Sequence, residues 1–308
     1  DNDGESPLSS SGEPTTSVLI AAHGRPELLR QTLQSLATTD QATEIAQVTI
    51  VENAATPELA GIVDEFRDAL PLGYHYSEHA NKSAALNLGL QQAKDGLIIL
   101  LDADVRVGKA LISAYLEAAV STGAGAFFGG PLGVEHEESP DAALLPYMTA
   151  STKGWALADE DQWVSKRTRF LGCNWAAYRS DLLAIGGFDP EFGPGSPSGA
   201  TGQESNAQRR LTRSGLRGRY VARAHVSHHV SADQMTTDWI LVRRRRSGQE
   251  LGRIIAGRFP KLARRAALRA ALALLRMGFR RRNPRIARLK TFDESWWAAY
   301  AEGAESAL

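Results

Sequence analysis

Apolar runs and helical periodicity alternate along the first half of the chain. Short runs rich in β-branched residues predict strands, and apolar positions three and four residues apart predict helices between them. The predicted strands are 17–22, 46–52, 73–77 and 97–101, and the predicted helices are 26–37, 57–70, 82–93 and 109–121. This alternation is typical of a mostly parallel, Rossmann-like α/β sheet with helices on both faces. Ligands of such sheets bind beyond the carboxyl ends of the strands.

The pattern after residue 125 is less regular. It predicts strands at 125–130 and 169–178, a loop rich in Gly, Pro and Ser at 186–201, and a helix at about 202–214. Helical periodicity returns at 239–255 and 261–277, and the segment that holds Trp296, Trp297 and Tyr300 predicts a terminal turn. Residues 1–16 are rich in Ser, Gly, Pro and acids and lack apolar periodicity, so we predict a disordered tail there.

Charge is distributed unevenly, although the formal net charge is zero. Residues 1–239 contain 18 Lys and Arg against 30 Asp and Glu, whereas residues 240–290 contain 17 against one. A basic block of this kind favours an anionic partner, either a phosphate-rich ligand or an anionic membrane surface. A solvated pair of basic helices is an equally good interpretation. For the segment 252–290, an apolar helix face that packs on the domain is the favoured alternative to membrane contact. Nothing in the pattern indicates a nucleic-acid partner.

The predicted compartment is the cytoplasm. Cys173 is the single cysteine, so no intramolecular disulfide can form, and no apolar run near residue 1 looks like a signal peptide. The apolar stretch 266–279 is too short to cross a bilayer and is interrupted by Arg269 and Arg276. Peripheral contact with the inner face of the membrane through the basic segment stays open.

Two carboxylates follow the fully apolar strand 97–101. Asp102 and Asp104 come directly after its carboxyl end, one residue apart. Mg²⁺ and Mn²⁺ prefer oxygen ligands and are commonly held by one or two carboxylates together with substrate phosphates. An isolated Asp-x-Asp is common by chance and often only closes a turn, so the motif needs support from its context.

That context is a series of segments in a fixed order. They are SVLIAAHGRPELLRQTLQSL, IVENAAT, NKSAALNLGL, LLDADV, FLGCNWAAYRSDLLAIGGFDPEFGPG, GQESNAQRRL and YVARAHVSHHV. Together they resemble family 2 of the glycosyltransferases, whose members have the GT-A fold. The resemblance covers residues 17 to about 248. It departs from the family in the first loop, where Ala22-His23-Gly24 stands in place of a Thr-Tyr-Asn-like turn and leaves the role of His23 open.

In the first half, the resemblance implies contacts with a nucleotide-sugar donor. It implies that Glu52 contacts the nucleobase and that Lys82 and Asn87 contact the donor. Asp102 would lie near the ribose or sugar, and Asp104 would bind a divalent metal, Mn²⁺ or Mg²⁺. From the residues alone, Lys82 is equally compatible with a solvated lysine.

In the second half, the resemblance implies the sugar site and the chemistry. Gly172 and Asn174 would line the donor sugar, and His228 would complete the metal site. Glu204 falls at the position of the catalytic base, where the family has Asp. A first-turn glutamate is also favoured by the helix dipole alone, so a purely structural role for Glu204 remains a competing interpretation.

The resemblance therefore implies an inverting, metal-dependent glycosyltransferase. Its donor would be a nucleoside diphosphate sugar, with a UDP-sugar favoured, and its acceptor a hydroxyl on a glycan or a lipid-linked molecule. The implied domains are a GT-A domain at 17–238, with a nucleotide-binding half at 17–124 and an acceptor half at 125–238, and a basic helical region at 239–308. Two alternatives are a catalytically inactive binding module and, less favoured because the first loop has one glycine and one arginine, a sugar-1-phosphate nucleotidyltransferase.

Overall fold

A large mixed sheet with helices on both faces organises the chain. The computed structural model describes residues 14–54, 57–197, 199–258 and 295–303. The strands are β1 Thr16–Ala22, β2 Ile45–Asn53, β3 Leu72–Ser77, β4 Leu97–Asp102, β5 Val105–Val107, β6 Ala126–Gly129, β7 Leu132–His136, β8 Gln162–Trp163, β9 Asn174–Tyr178, β10 Arg217–Tyr220 and β11 Val226–Val230. The helices are α1 Pro26–Ala37, α2 Ala60–Glu65, α3 Lys82–Gln92, α4 Leu111–Thr122, α5 Ala150–Lys153, α6 Arg179–Ala184, α7 Gln203–Arg213 and α8 Thr237–Arg258.

Eight strands form the main sheet in the order β3-β2-β1-β4-β9-β6-β10-β8. β3, β2, β1 and β4 are parallel to one another, whereas β9 runs antiparallel to both β4 and β6. Three short strands form a second sheet in the order β5-β11-β7. The carboxyl ends of β1, β2 and β4 consequently meet at one edge of the main sheet, as the sequence pattern predicts.

The core lies on both faces of the main sheet. Along β1, Val18 and Ile20 belong to one buried cluster while Leu19 and Ala21 belong to the other. This division follows from the alternation of side chains along a strand. All five residues of the predicted strand 97–101 are likewise buried, which confirms that β4 is covered on both faces.

The elements differ from the sequence predictions in several places. The second helix is shorter than 57–70, because turns take over at residues 66–69. β9 begins at Asn174 and not at residue 169, since the backbone N–H of Asn174 closes a turn onto Leu171. The sequence pattern did not indicate β5, β7, β8, β10, α5 or α6. The helix predicted at 261–277 lies outside the described residues.

The described residues form two compact units. One contains the residues up to 135 together with 150–196 and 202–230, and the other contains 136–149, 197–201 and the residues from 231 onward. In the second unit, α8 packs closely against a helical segment at 295–303, where the rings of Trp296 and Tyr300 stack with centroids 5.7 Å apart. None of the described helices combines the length and apolarity needed to cross a bilayer.

Candidate active site

The site is built around the turn that follows β4. The side chains of Asp102 and Asp104 are 25% and 20% exposed, so both carboxylates are largely removed from solvent. β11 pairs with β5 in a register that places His228 opposite Val105, and the backbone N–H of His229 donates to the carbonyl of Asp104. This pairing brings His228 beside Asp104, although the two residues lie far apart in sequence.

Asp104 and His228 face each other at a distance suited to sharing one cation. His228 Nε2 lies 3.6 Å from Asp104 Oδ1, which is too long for a strong hydrogen bond. Two atoms that each lie about 2.1 Å from one ion are at most about 4.2 Å apart, so 3.6 Å is compatible with shared coordination. His228 Nδ1 is buried without a hydrogen-bond partner among the described residues. Nε2 is therefore the ring nitrogen that faces the carboxylate.

Burial and the neighbouring charges shift the pKa of the Asp104 carboxyl in opposite directions. Burial raises the pKa of its carboxyl, and His228, Lys82 and Arg25 act in the opposite direction through their charges, while Asp102 adds a further upward effect. Burial has the largest effect, so the net shift is upward. A buried carboxylate with an elevated pKa gains from any additional cation that comes within a few ångströms.

Lys82 is paired with the other carboxylate of the triplet. It is the first residue of α3, and its Nζ lies 2.5 Å from Asp102 Oδ1. Burial alone would lower the pKa of Lys82, but the charge and hydrogen bond of Asp102 raise it above its usual range. Asn81 holds this helix start in place, because its side chain accepts a hydrogen bond from the N–H of Ala84. Lys82 is thus a charged, largely buried side chain and not a solvated one.

Glu204 lies in the first turn of α7 and reaches toward the same group of charges. Its charge acts on Lys82 and contributes to the raised pKa of that amine. The helix follows Gly202, whose φ of 77° lies in the left-handed region that glycine adopts at little cost. A Cβ at Gly172 would lie 3.4 Å from the carboxyl carbon of Glu204, so Gly172 lies directly beside the glutamate.

Arg25 is a residue of this site that the sequence prediction missed. Its Nη1 lies 3.3 Å from Asp104 Oδ2. Arg25 and Gly24 have φ values of 58° and 60°, and Pro26 then starts α1. His23 Nδ1 lies 2.6 Å from the carbonyl oxygen of Asn53, which ties the same loop to β2. The signal in the sequence was a lone cation between a glycine and a helix-starting proline, just past a predicted strand.

Asn87 and Asn174 lie in the same part of the fold, but their amides bond to protein. Asn87 donates to the carbonyl of Phe188 and accepts from its N–H, at 2.7 Å in each case. Asn174 is fully buried; it donates to the carbonyls of Pro131 and Ala224 and accepts from the hydroxyl of Tyr115. Both amides therefore hold together the segments around the site.

Glu52 is also buried and bonded within the fold. It lies near the carboxyl end of β2, with no exposed surface. Its two carboxylate oxygens accept hydrogen bonds from the N–H groups of Glu58 and Leu59 and from the hydroxyl of Tyr74. This carboxylate fixes the segment that leads into α2 and is not the exposed acid that a strand end would otherwise present.

Six predicted residues are brought to one place and three are not in direct contact with it. The first group consists of Lys82, Asp102, Gly172, Glu204, Asp104 and His228, and the second of Glu52, Asn87 and Asn174. No three His, Cys, Asp or Glu side chains of the described residues form a metal-ligating cluster. Asp104 and His228, 3.6 Å apart, are the two side chains that could hold a divalent cation together with a bound phosphate, as is common for Mg²⁺.

Comparisons with known proteins bear on the family of the chain. The family model described as glycosyl transferase family 2 matches residues 17–184. The succinoglycan biosynthesis protein ExoM of Rhizobium meliloti (strain 1021) is 28% identical over 270 residues, which cover 84% of this chain and 81% of that protein.

Solved structures show the same fold at low sequence identity. The mannosyltransferase PcManGT from Pyrobaculum calidifontis, in complex with GDP-Man and Mn²⁺, has a TM-score of 0.55 at 17% identity, with 96% of this chain and 74% of that chain covered. TarS 1-349 of S. aureus, in complex with UDP, has a TM-score of 0.51 at 15% identity, with 95% and 90% covered. These likenesses confirm the predicted GT-A-like fold.

Proposed function

Since the chain belongs to glycosyl transferase family 2 and is thus a glycosyltransferase that uses nucleotide sugars, we propose that it transfers the sugar with inversion to a hydroxyl acceptor. The favoured donor is a UDP-sugar, an assignment supported by the UDP complex of TarS. A GDP-sugar is the alternative to test, because PcManGT was solved in complex with GDP-Man. The acceptor is a glycan or a lipid-linked sugar, in line with the similarity to a polysaccharide biosynthesis protein.

The observation that carries the proposal is the convergence of four charged or metal-ligating side chains past β4. Asp104 faces His228, and Asp102 is paired with Lys82. These residues come from three separate parts of the chain, so chance proximity in sequence cannot explain their meeting. Their position beyond the carboxyl ends of parallel strands is where ligands of open α/β sheets bind.

In the proposed mechanism Asp104 and His228 would hold a divalent cation, Mn²⁺ or Mg²⁺. The bound ion would supply electrostatic stabilisation of the diphosphate as it leaves. Lys82 at the start of α3 adds a positive charge and a helix N-terminus, both of which favour a phosphate or ribose hydroxyl nearby. Asp102 then orients the ribose or the sugar through its carboxylate oxygens.

Glu204 acts as the general base. It takes the proton from the acceptor hydroxyl while that oxygen attacks the anomeric carbon and the bond from this carbon to the diphosphate oxygen breaks. Attack from the face opposite the leaving group inverts the anomeric configuration. Gly172 lies beside this carboxyl group, at ordinary contact distance from where its Cβ would be, and is proposed to line the donor sugar there.

Three residues support donor binding indirectly, by holding segments of the chain near the site in place. They are Glu52, Asn87 and Asn174. Their polar atoms bond to backbone and side chains within the fold, so they fix the β2–α2 segment, the Phe188 turn and the start of β9. We further propose that 17–238 is the catalytic domain, with its nucleotide half at 17–124. The basic region 239–308 is proposed to contact an anionic membrane surface peripherally.

Substitution of Asp104 tests the metal site. We expect Asp104→Asn to abolish metal-dependent UDP binding in calorimetry and to reduce transfer from a panel of UDP- and GDP-sugars by at least about 100-fold, because the carboxylate charge at the cation is lost. Asp68→Asn, in an exposed turn between α2 and β3, is the matched control, because it also removes one carboxylate charge. Undiminished transfer by Asp104→Asn, or by the wild type after removal of divalent cations, would contradict the proposal.

Substitution of Glu204 tests the base. Glu204→Gln keeps the size of the side chain but cannot accept the proton, so we expect metal-dependent UDP binding to be retained while turnover falls about 10²- to 10⁴-fold. Full turnover would remove Glu204 from the base role. Metal-dependent UDP binding by the wild type, without transfer to any acceptor tested, would instead favour an inactive binding module.

A further inference from the structure

Both carboxylates of the Asp102-Ala103-Asp104 triplet already carry a protein cation as partner. Lys82 forms an ion pair with Asp102, and Arg25 forms one with Asp104. The two pairs differ in exposure: the Lys82 side chain is 16% exposed, whereas that of Arg25 is 50% exposed. Arg25 is therefore the cation that can leave its carboxylate at low cost, because a guanidinium half in water remains solvated when it moves.

The loop that carries Arg25 is fixed, although the side chain reaches into solvent. Two successive residues with φ near 60°, the contact of His23 with Asn53 and the proline at the start of α1 determine the backbone. A Cβ at Gly24 would lie 2.9 Å from Oε1 of Glu58, so the carboxylate of Glu58 lies beside this loop. The guanidinium is thus presented at the sheet edge on a defined backbone and moves by its own rotamers.

We propose that Arg25 is an exchangeable counter-cation of Asp104. It neutralises this carboxylate through Oδ2 while no metal is bound, leaves it when a divalent cation binds the same carboxylate on the Oδ1 side that faces His228, and then binds the diphosphate of the donor. The inference rests on the proposed metal-dependent function and adds to it a residue for which no role was assigned. A guanidinium suits both partners, since it forms charge-assisted hydrogen bonds with carboxylate and with phosphate alike.

This exchange has a measurable consequence for the affinities of the metal and the nucleotide. Arg25 competes with the metal for Asp104, so it weakens metal binding when no nucleotide is present. The same side chain adds a contact once a nucleoside diphosphate is present, so it strengthens nucleotide binding. Metal and nucleotide consequently bind with positive coupling, and removing Arg25 should change the two affinities in opposite directions.

Arg25→Gln tests the proposal with Mn²⁺ alone as the first probe. Glutamine suits the position, because Gln41 already adopts a φ of 61° in this chain. We expect Mn²⁺ binding without nucleotide, measured from the electron paramagnetic resonance signal of free Mn²⁺, to become about two- to fivefold tighter, the size of a half-exposed ion pair. UDP binding at saturating Mn²⁺, measured by calorimetry, should become about five- to tenfold weaker.

Two further variants separate charge from position. Arg25→Lys keeps the charge and should lie between the wild type and Arg25→Gln in both measurements. Arg30→Gln is the matched control, since it removes an equal charge from α1, the helix that Arg25 precedes, but from an ion pair with Glu27 and Glu65. It should leave both affinities unchanged.

The possible failures are distinguishable. Equal or weaker Mn²⁺ binding by Arg25→Gln, with normal binding by the wild type, would overturn the counter-cation role and leave the proposed function standing. Unchanged UDP affinity would overturn the diphosphate contact. Absence of Mn²⁺ binding by the wild type, with and without UDP, would overturn the proposed metal site and this inference together.

Discussion

The amide of Asn174 joins three separate segments behind the candidate site. Its two N–H groups point at the carbonyls of Pro131 and Ala224, at 2.8 and 2.7 Å, and its oxygen accepts from Tyr115 at 2.7 Å. The Ala224 segment leads directly into β11, which carries His228. A buried polar group that is fully bonded in this way stabilises one arrangement of the chain and penalises others.

Asn174→Asp should therefore be strongly destabilising. The substitution keeps the shape but replaces two donors by an oxygen that faces two carbonyl oxygens in a fully buried place. We expect the free energy of unfolding to fall by about 3 kcal/mol or more, measured by urea denaturation. Gln92→Glu, an amide-to-acid change on an exposed end of α3, should change stability by less than about 0.5 kcal/mol. Equal stability of the two variants would show that the buried hydrogen bonds carry little energy.

At the scale of an element, α3 depends on one glycine for its approach to the sheet. A Cβ at Gly89 would lie 2.2 Å from Leu19 Cδ1 and 3.1 Å from Val51 Cγ2. Leu19 and Val51 are fully buried in the middle of β1 and β2, so neither side chain has open space to move into. Since Lys82 starts this helix, the close approach at Gly89 also determines where Lys82 lies relative to Asp102.

A pair of glycine substitutions tests this packing. Gly89→Ala should lower the free energy of unfolding by about 1 to 2 kcal/mol, because overpacking outweighs the gain in helix propensity. Gly61→Ala in α2 meets nothing within 4 Å and should raise stability by up to about 1 kcal/mol. Thermal and urea unfolding of both variants would check the opposite signs. A stabilised Gly89→Ala variant would mean that α3 can shift away from β1 without cost.

Elements with strong local signals could be predicted from the sequence, and those that depend on distant pairing could not. α1 was predicted at its observed bounds, because Pro26 starts it and its apolar residues repeat at helical spacing. β7 and the shortened start of β9 escaped prediction, since their limits are determined by hydrogen bonds to residues far away or in an irregular loop. α2 was overextended because the apolar residues 66 and 70 continue the helical spacing into a region of turns.

At the scale of the whole molecule, topology decides which candidate residues meet. Motif order alone indicated Asp104 and His228, but only the pairing of β5 with β11 brings them within 3.6 Å. The ion pair between Lys82 and Asp102 could not be inferred from spacing, because it depends on the packing of α3 against β1 and β2. Arg25 escaped prediction for a similar reason, since its direction depends on two left-handed backbone conformations.

Charge segregation along the whole chain leads to a prediction about membranes. Residues 240–290 contain 17 Lys and Arg against one acid, and each basic group near an anionic bilayer contributes about 1 kcal/mol of attraction. We expect the full chain to sediment with vesicles that contain 30% phosphatidylglycerol at about 50 mM salt, and to be released as salt approaches about 500 mM. Vesicles of phosphatidylcholine alone should not bind it.

Substitutions inside and outside the basic block distinguish membrane attraction by this block from attraction by the net charge of the whole protein. Arg280, Arg281 and Arg282 replaced together by Gln should weaken vesicle binding by about tenfold or more, because three basic groups leave the block. The same replacement at Arg67, Arg167 and Arg213, which are exposed and lie outside the block, changes the net charge equally and should have a much smaller effect. Equal losses from the two triple variants would mean that net charge alone drives binding. No binding by the unchanged chain at low salt would favour the interpretation that the basic helices pack on protein.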